Sequence, residues 1–346
     1  MGSNSEKQLK GERNPFPGLR PFRPDEKEFF YGRENESRDI AEKIIANRFV
    51  AIIGAPGTGK TSLINCGVIP ALTGMPESKK SGWKIISFTP GTDPAGNLAG
   101  AIATTAAEGE DAVNLRISIA DVLKSNRNSL AVFIKDLVIK GNEKVLIVVD
   151  QFEEIFRYRQ RGRGSEPTDD IAAFLDILLN AVEQPVPEIY LIISLSSDYI
   201  SECTKFYRFT QSIIINRSSV VIPALSEATL KDVVIKPLQR AGVAVESILT
   251  ETIAGEAVAG GIPLPVVQHA LMRAWNRRQN LYEGEKPLTL ADYTSGGGLE
   301  KALGNHAEEL YASLDENVKK ACEKLFRIIT ARSAGMKKTK LCPVRA

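Results

Sequence analysis

The chain has 346 residues, 44 of them Lys or Arg and 42 Asp or Glu, for a formal net charge of +2. That length accommodates roughly two domains with a real buried core, and the ordinary apolar (43%) and charged (25%) fractions exclude wholesale disorder. Near neutrality argues against non-specific nucleic-acid binding. Two histidines (His269, His306) and four cysteines without a CxxC pair (Cys66, Cys203, Cys322, Cys342) argue against a zinc site or a disulfide framework.

In chain order, residues 1–13 are polar and expected to be mobile. Residues 14–34, NPFPGLRPFRPDEKEFFYGRE, hold four prolines that forbid a regular helix, yet they are too aromatic for a free linker. An extended segment pinned to a domain surface is expected. Ile40/Ile44 and Ala41/Ile45 predict a helix over 36–48, RFVAIIG (48–54) a buried strand, and 60–73 a helix. Lys84–Phe88 reads as a strand, followed by helices over 95–107, 117–125 and 129–140. KVLIVVD (144–150), apolar on both faces, suits a central parallel strand. A basic loop, RYRQRGRG (157–164), precedes a helix over 168–183 with Thr168 as its N-cap. Strands follow at 189–194 and 219–222. Beyond a boundary near 224 only helices are predicted: 227–240, 247–258, 264–279, 299–313 and 315–332. The alternation predicts an α/β parallel sheet over 36–224, followed by a helical domain.

Gly54-Ala55-Pro56-Gly57-Thr58-Gly59-Lys60-Thr61 matches GxxxxGK[ST] between a predicted strand and a predicted helix, the context that defines a phosphate-binding P-loop. Glycines let backbone N–H groups curl around phosphates, and the helix N-terminus adds positive potential. Through Ser62 this segment would hold the phosphates, with Lys60 neutralising charge and the Thr61 hydroxyl on Mg²⁺. The second metal ligand should be an Asp ending an apolar strand, and Asp150 ends KVLIVVD. Glu154 or Glu153, in the following Gln151-Phe152-Glu153-Glu154, is the candidate general base, with Glu154 slightly ahead. Ser194, Ser196, Ser197 and Asp198, after the 189–194 strand, are candidates for sensing the γ-phosphate. His269 falls on an apolar helix stripe and reads as a packing residue; Cys66 reads as a small buried side chain. No apolar run reaches the ~18 residues of a membrane span, and the N-terminus carries no signal-peptide stretch. A cytoplasmic location without membrane contact is expected.

NPFPGLRPF with FYGRE, GAPGTGKTSLINCGVIPAL, VLIVVDQFEEIF and SGWKIISFTPGTDP, together with PLPVVQHALMRAW, LTLADYTSGGGLEKAL and HAEELYASL, resemble the novel STAND NTPases. These are signal-transduction ATPases of the P-loop class, and the likeness covers roughly residues 14–330. It implies an adenine-covering segment over 14–35 with Gly32 and Arg33 nearest the base, an ASCE-type P-loop domain over 36–224 and an all-α lid over 225–300. It also implies a partial winged-helix-like region over 301–346. The family's lid proline matches either Pro263 or Pro265. ATP or dATP with Mg²⁺ would be the ligands, and the active state a homo-oligomer. Effector and sensor parts would lie outside this chain, making it a fragment, a truncated product or a subunit that borrows them. One departure is Ser196, which stands where the family places an Arg. The resemblance therefore implies a slowly hydrolysing ATP switch. The alternatives are an AAA+-like DNA-associated ATPase, for which Arg273 is the candidate lid arginine, and a non-hydrolysing nucleotide-binding scaffold.

Overall fold

The computed structural model describes residues 13–334 apart from 77, 160–166, 216–217 and 282–285. Five parallel strands, β1 (Phe49–Gly54), β2 (Trp83–Phe88), β3 (Lys144–Val149), β4 (Ile189–Ser196) and β5 (Ser219–Val221), form one sheet in the order β2-β3-β4-β1-β5. β3 is interior, as its two apolar faces require, but the centre belongs to β4, all eight residues of which are buried. Side chains alternate between two cores. Ala51, Ile53, Ile147, Val149, Ile193 and Leu195 face one side, packing on the helices Pro94–Ala106, Gly109–Ser125 and Pro167–Glu183. Val50, Ile52, Leu146, Val148 and Ile192 face the other, against Glu34–Asn47 and the helix that follows the P-loop. All strand carboxyl ends therefore lie along one edge, where open α/β sheets bind ligands. In that edge Gly54 is in register with Ser196.

The local differences from the sequence reading have local causes. The P-loop helix runs as Lys60–Ser62, a π-helical Leu63–Val68 and Ile69–Gly74. Pro70 has no N–H to give to Cys66 O, and the wider turn lets Ile69 N–H reach Ile64 O instead. The 168–183 helix begins at Pro167, one residue before the expected cap Thr168, because proline suits the first helical position. The helix expected over 117–125 starts at Gly109. A short helix not anticipated, Leu290–Ser295, is closed by a capping box between Thr289 and Asp292.

The helical domain buries Trp275, Leu271, Val267 and Ile253 at its centre. Gly298–Ser313 crosses the expected lid boundary at 300, with Leu299 and Ala302 in the lid core. It is tied to Leu264–Leu281 by His269 Nε2, 2.9 Å from His306 Nδ1, and by a bidentate Arg273–Glu309 pair at 2.7 Å. The described part of 301–346 continues as one more helix, Glu316–Ala334; residues 335–346 lie outside the described residues. So do 1–12 of the N-terminal arm and most of the basic loop 157–164. Among the described residues no helix is long and apolar enough to cross a membrane.

The proline-rich segment is a strap joining the two domains. Phe16 is buried in the lid core, and Gly18 (φ +75°) passes Met272 so closely that a Cβ would lie 2.8 Å from its sulfur. Phe22 N–H donates to Ser62 Oγ at 3.1 Å, and the Cys66 thiol donates to Arg23 O at 3.0 Å, both on the P-loop helix. A single carboxylate organises the turn between them. Glu26 accepts from both Arg20 Nη atoms at 2.6 and 2.5 Å and from Arg23 N–H at 2.8 Å. Arg13, placed by sequence in the mobile arm, pairs with Asp25 at 2.7 Å and adds to the same cluster. The Arg20 hydrogen bonds, aided by Arg23 N–H and the charge of Arg13, hold the Glu26 carboxyl down at about 2. Its folded value lies below its unfolded one, so the pairing stabilises the strap above the ordinary carboxylate range and is lost as pH falls toward 2. The protection of the Phe22 amide, its exchange rate relative to the intrinsic rate at each pH, should accordingly fall over that acid window in the native chain. In Glu26→Gln that protection should be low already at neutral pH and change little across the window.

Candidate functional site

The P-loop leaves β1 at Gly54 and turns through Gly57 (φ +78°) and Gly59 (φ +87°), conformations that favour glycine. Lys60 folds back across the turn, its Nζ donating to Gly54 O at 2.8 Å and Ala55 O at 3.2 Å. Thr58 closes the loop by donating from N–H and Oγ1 to Ala55 O. Burial pushes the Lys60 ammonium down from its ordinary value, against the opposing pull of Glu153, Asp150 and Asp198. A partly desolvated cation beside free loop N–H groups and a helix N-terminus is a site made for an oxyanion.

The carboxylates sit where β3 and β4 end. Asp150 Oδ2 accepts from Thr61 Oγ1 at 2.7 Å, so the two expected metal ligands meet. These hard oxygen donors fit Mg²⁺, which takes few protein ligands and completes its octahedron with water and phosphate oxygens. Glu153 is buried, and its Oε2 accepts from Ser196 N–H at 3.0 Å. Glu154 is buried too and opens the short helix Glu154–Arg159, with its N–H on Gln151 O at 2.9 Å. Asp198 lies in the 3₁₀ turn Ser197–Tyr199 after β4. Ser196 itself is fully buried, its hydroxyl without a hydrogen-bond partner among the described residues.

The lid closes onto this loop directly. Leu264 N–H donates to Gly57 O at 3.2 Å. A Cβ on Gly57 would lie 2.8 Å from Pro263 Cβ and 3.5 Å from Pro265 Cδ; one on Gly59 would lie 3.4 Å from Leu264 Cδ1. Both candidate prolines therefore reach the phosphate loop, Pro263 more closely. Gly32 (φ +85°) packs against Thr229 and Val233 of the first lid helix, Glu227–Arg240. Arg33 is buried, its guanidinium spent on Glu36 (2.7 Å) and on Pro223 O (2.6 Å) just past β5. It brackets strap, sheet and hinge. The Ser62 hydroxyl oxygen accepts from the strap, which leaves its own proton to give. Arg273 is committed to Glu309 rather than directed to the loop. Sequence reasoning missed Leu264, whose only signal was its place next to Pro263, and the left-handed Gln151 (φ +54°), which carried none.

The strand order, the glycine loop between β1 and its helix, and the carboxylates beyond β3 define a P-loop NTPase of the ASCE type with an all-α lid. The chain belongs to the Novel STAND NTPase 1 family, whose profile it matches over residues 15–344. A search of curated proteins finds no match. Among solved structures it is similar to the Aeropyrum pernix ORC1 protein in complex with DNA, at 15% identity and TM-score 0.53, covering 86% of this chain and 72% of that one. It is similar also to the Aeropyrum pernix ORC2 protein in its ADPNP–ADP complexes, at 16% identity and TM-score 0.52 over 82% and 71%. Drosophila ORC bound to DNA matches at 13% identity and TM-score 0.51, over 91% and 72%. At these identities the likeness shows the fold.

Gly57→Ala tests the loop–lid contact. A left-handed alanine costs roughly 1–2 kcal/mol, and its methyl would meet Pro263 at 2.8 Å. Thermal unfolding should move to lower temperature and nucleotide affinity should drop, whereas Gly74→Ala, where a Cβ meets nothing within 4 Å, should be close to neutral in both assays.

Proposed function

We propose that this protein is an ATP-dependent signalling switch of the STAND type, hydrolysing slowly and binding ATP or dATP with Mg²⁺ between the sheet edge and the lid. The observation that carries this reading is the convergence on one loop of Lys60, the Thr61–Asp150 pair, Glu153 and the lid residues Pro263 and Leu264. In this reading the segment Gly54 through Ser62 holds the phosphates, with backbone N–H groups after Pro56 and the helix start facing them. Lys60 exchanges its Gly54 and Ala55 carbonyls for phosphate oxygens. Thr61 and Asp150 hold Mg²⁺, which when bound offsets charge on the phosphates. Gly32 and Arg33 shape the wall nearest the base. Glu153 orients the attacking water, ahead of Glu154, because its carboxylate is the leading electrostatic partner of Lys60 and is aimed by Ser196 N–H.

Turnover is slow because Ser196 offers no cation where the family places an arginine, and transition-state cations of that kind are worth orders of magnitude in rate. The switch follows from the lid contact: a ligand that prefers one loop–lid arrangement shifts the population toward it. One arrangement would oligomerise and bring effector and sensor parts together.

Purified protein should bind ATP with Mg²⁺, and Lys60→Ala should abolish binding. Glu153→Gln should keep binding but slow single-turnover hydrolysis by about 10²–10⁴-fold, with a smaller effect from Glu154→Gln. Equal rates in both variants and the native chain would overturn the catalytic assignment, whereas no single-turnover hydrolysis by the native chain would favour a non-hydrolysing scaffold. A DNA-associated ATPase is the second reading. It is motivated by the DNA-bound ORC relatives and by residues 316–346, which hold nine Lys or Arg against two Glu. Salt-sensitive duplex binding by the intact chain would support it, and its absence at low salt would leave the switch.

A further inference from the structure

We propose that Ser194 is a positioning residue that sets the Mg²⁺ affinity of the site by locking the Asp150 carboxylate. The inference rests on the reading of Thr61 and Asp150 as metal ligands. Ser194 and Ser196 are two apart on β4 and so share a face, which Tyr190 and Ile192 continue toward the P-loop helix. From this strand end four hydrogen bonds reach into the segment after β3. Ser194 Oγ donates to Asp150 Oδ1 and accepts from Gln151 N–H at 3.1 Å. Ser194 O accepts from Phe152 N–H at 2.9 Å, and Ser196 N–H donates to Glu153 Oε2 at 3.0 Å.

The proton inventory makes the assignment specific. A serine hydroxyl has one proton to give. Ser194 gives its proton to Asp150, an acceptor when ionised, and so faces Gln151 N–H with a lone pair. Gln151 N–H also lies 3.0 Å from Asp150 Oδ1. Oδ1 is thereby consumed by Ser194 and Gln151, and Oδ2 is left turned to Thr61. Gln151 takes its left-handed backbone (φ +54°) as part of this closure, the turn that brings its N–H back onto both groups. Ser194 is also fully buried, so its hydroxyl is not free to sense a γ-phosphate, one of the roles its place near the end of β4 suggested. Its action is on Asp150.

Partners that orient a metal ligand typically change metal affinity by about 10–100-fold when removed. The test uses the full chain and a fluorescent ATP analogue titrated with Mg²⁺. In Ser194→Ala the half-saturating Mg²⁺ concentration should rise about 10-fold or more, while analogue affinity in EDTA stays at the native value. Gln151 amide exchange in the nucleotide-free protein should speed up, a change independent of any metal. Ser194→Thr, which keeps the hydroxyl, should restore both. Ser194→Cys, close in volume but a weak donor, should shift Mg²⁺ in the same direction as alanine and serves if the alanine variant does not fold. Half-saturating Mg²⁺ within twofold of native in the folded variant, or an equal loss of affinity with and without Mg²⁺, would overturn the clamp. If the native chain itself shows no Mg²⁺-dependent analogue binding, it is the metal-site reading that fails.

Discussion

The hydrogen bond from Leu264 N–H to Gly57 O joins the two domains at the turn where phosphates would sit. A phosphate loop needs most of its N–H groups to face the ligand, so its carbonyls are what another part of the molecule can hold. Here the lid takes one of them, with Pro263 laid across the same glycine. Because Gly57 has no side chain, the lid approaches as closely as its backbone allows.

The chemistry on the opposite side of the loop depends on β4. That strand lies between β1 and β3 with all eight residues buried, and its carboxyl end carries the groups that hold Asp150 and Glu153. The two carboxylates are therefore fixed by a strand that supplies neither of them. The same arrangement accounts for the left-handed Gln151: a backbone conformation that side chains rarely adopt persists only where surrounding bonds over-determine it.

The strap touches both the loop helix and the lid. It is anchored on Ser62 and Cys66 at one end and buried in the lid core through Phe16 at the other, with the Glu26 cluster stiffening the turn between. Arg33 extends the connection to Pro223, where the sheet ends and the lid begins. Lid displacement would have to break or bend this strap. Among the described residues the domains are thus tied both at the Gly54–Thr61 loop and behind the loop helix.

The sequence by itself determined the elements and most of the site's membership. Hydrophobic runs of four to seven residues placed the strands, 3.6-residue periodicity placed the helices, and the Gly54–Thr61 spacing with Asp150 at a strand end named the residues proposed for phosphate and metal, because each of these is a local property of the chain. The family likeness carried the lid prolines and the strap for the same reason: short motifs survive in sequence. Tertiary structure decided which groups meet. Glu153 and Glu154 are adjacent and chemically equal in the sequence; in the structure Glu153 accepts from Ser196 N–H, more than forty residues away, and is the carboxylate of the pair acting on Lys60. Arg273 matched a role on paper, but the packing of Gly298–Ser313 gave it Glu309 instead. Pro263 and Pro265 could not be ranked until the lid was seated on Gly57. Such choices rest on contacts between distant segments, which no local pattern encodes, and in this protein they are the choices that turn a phosphate loop into a site coupled to its lid.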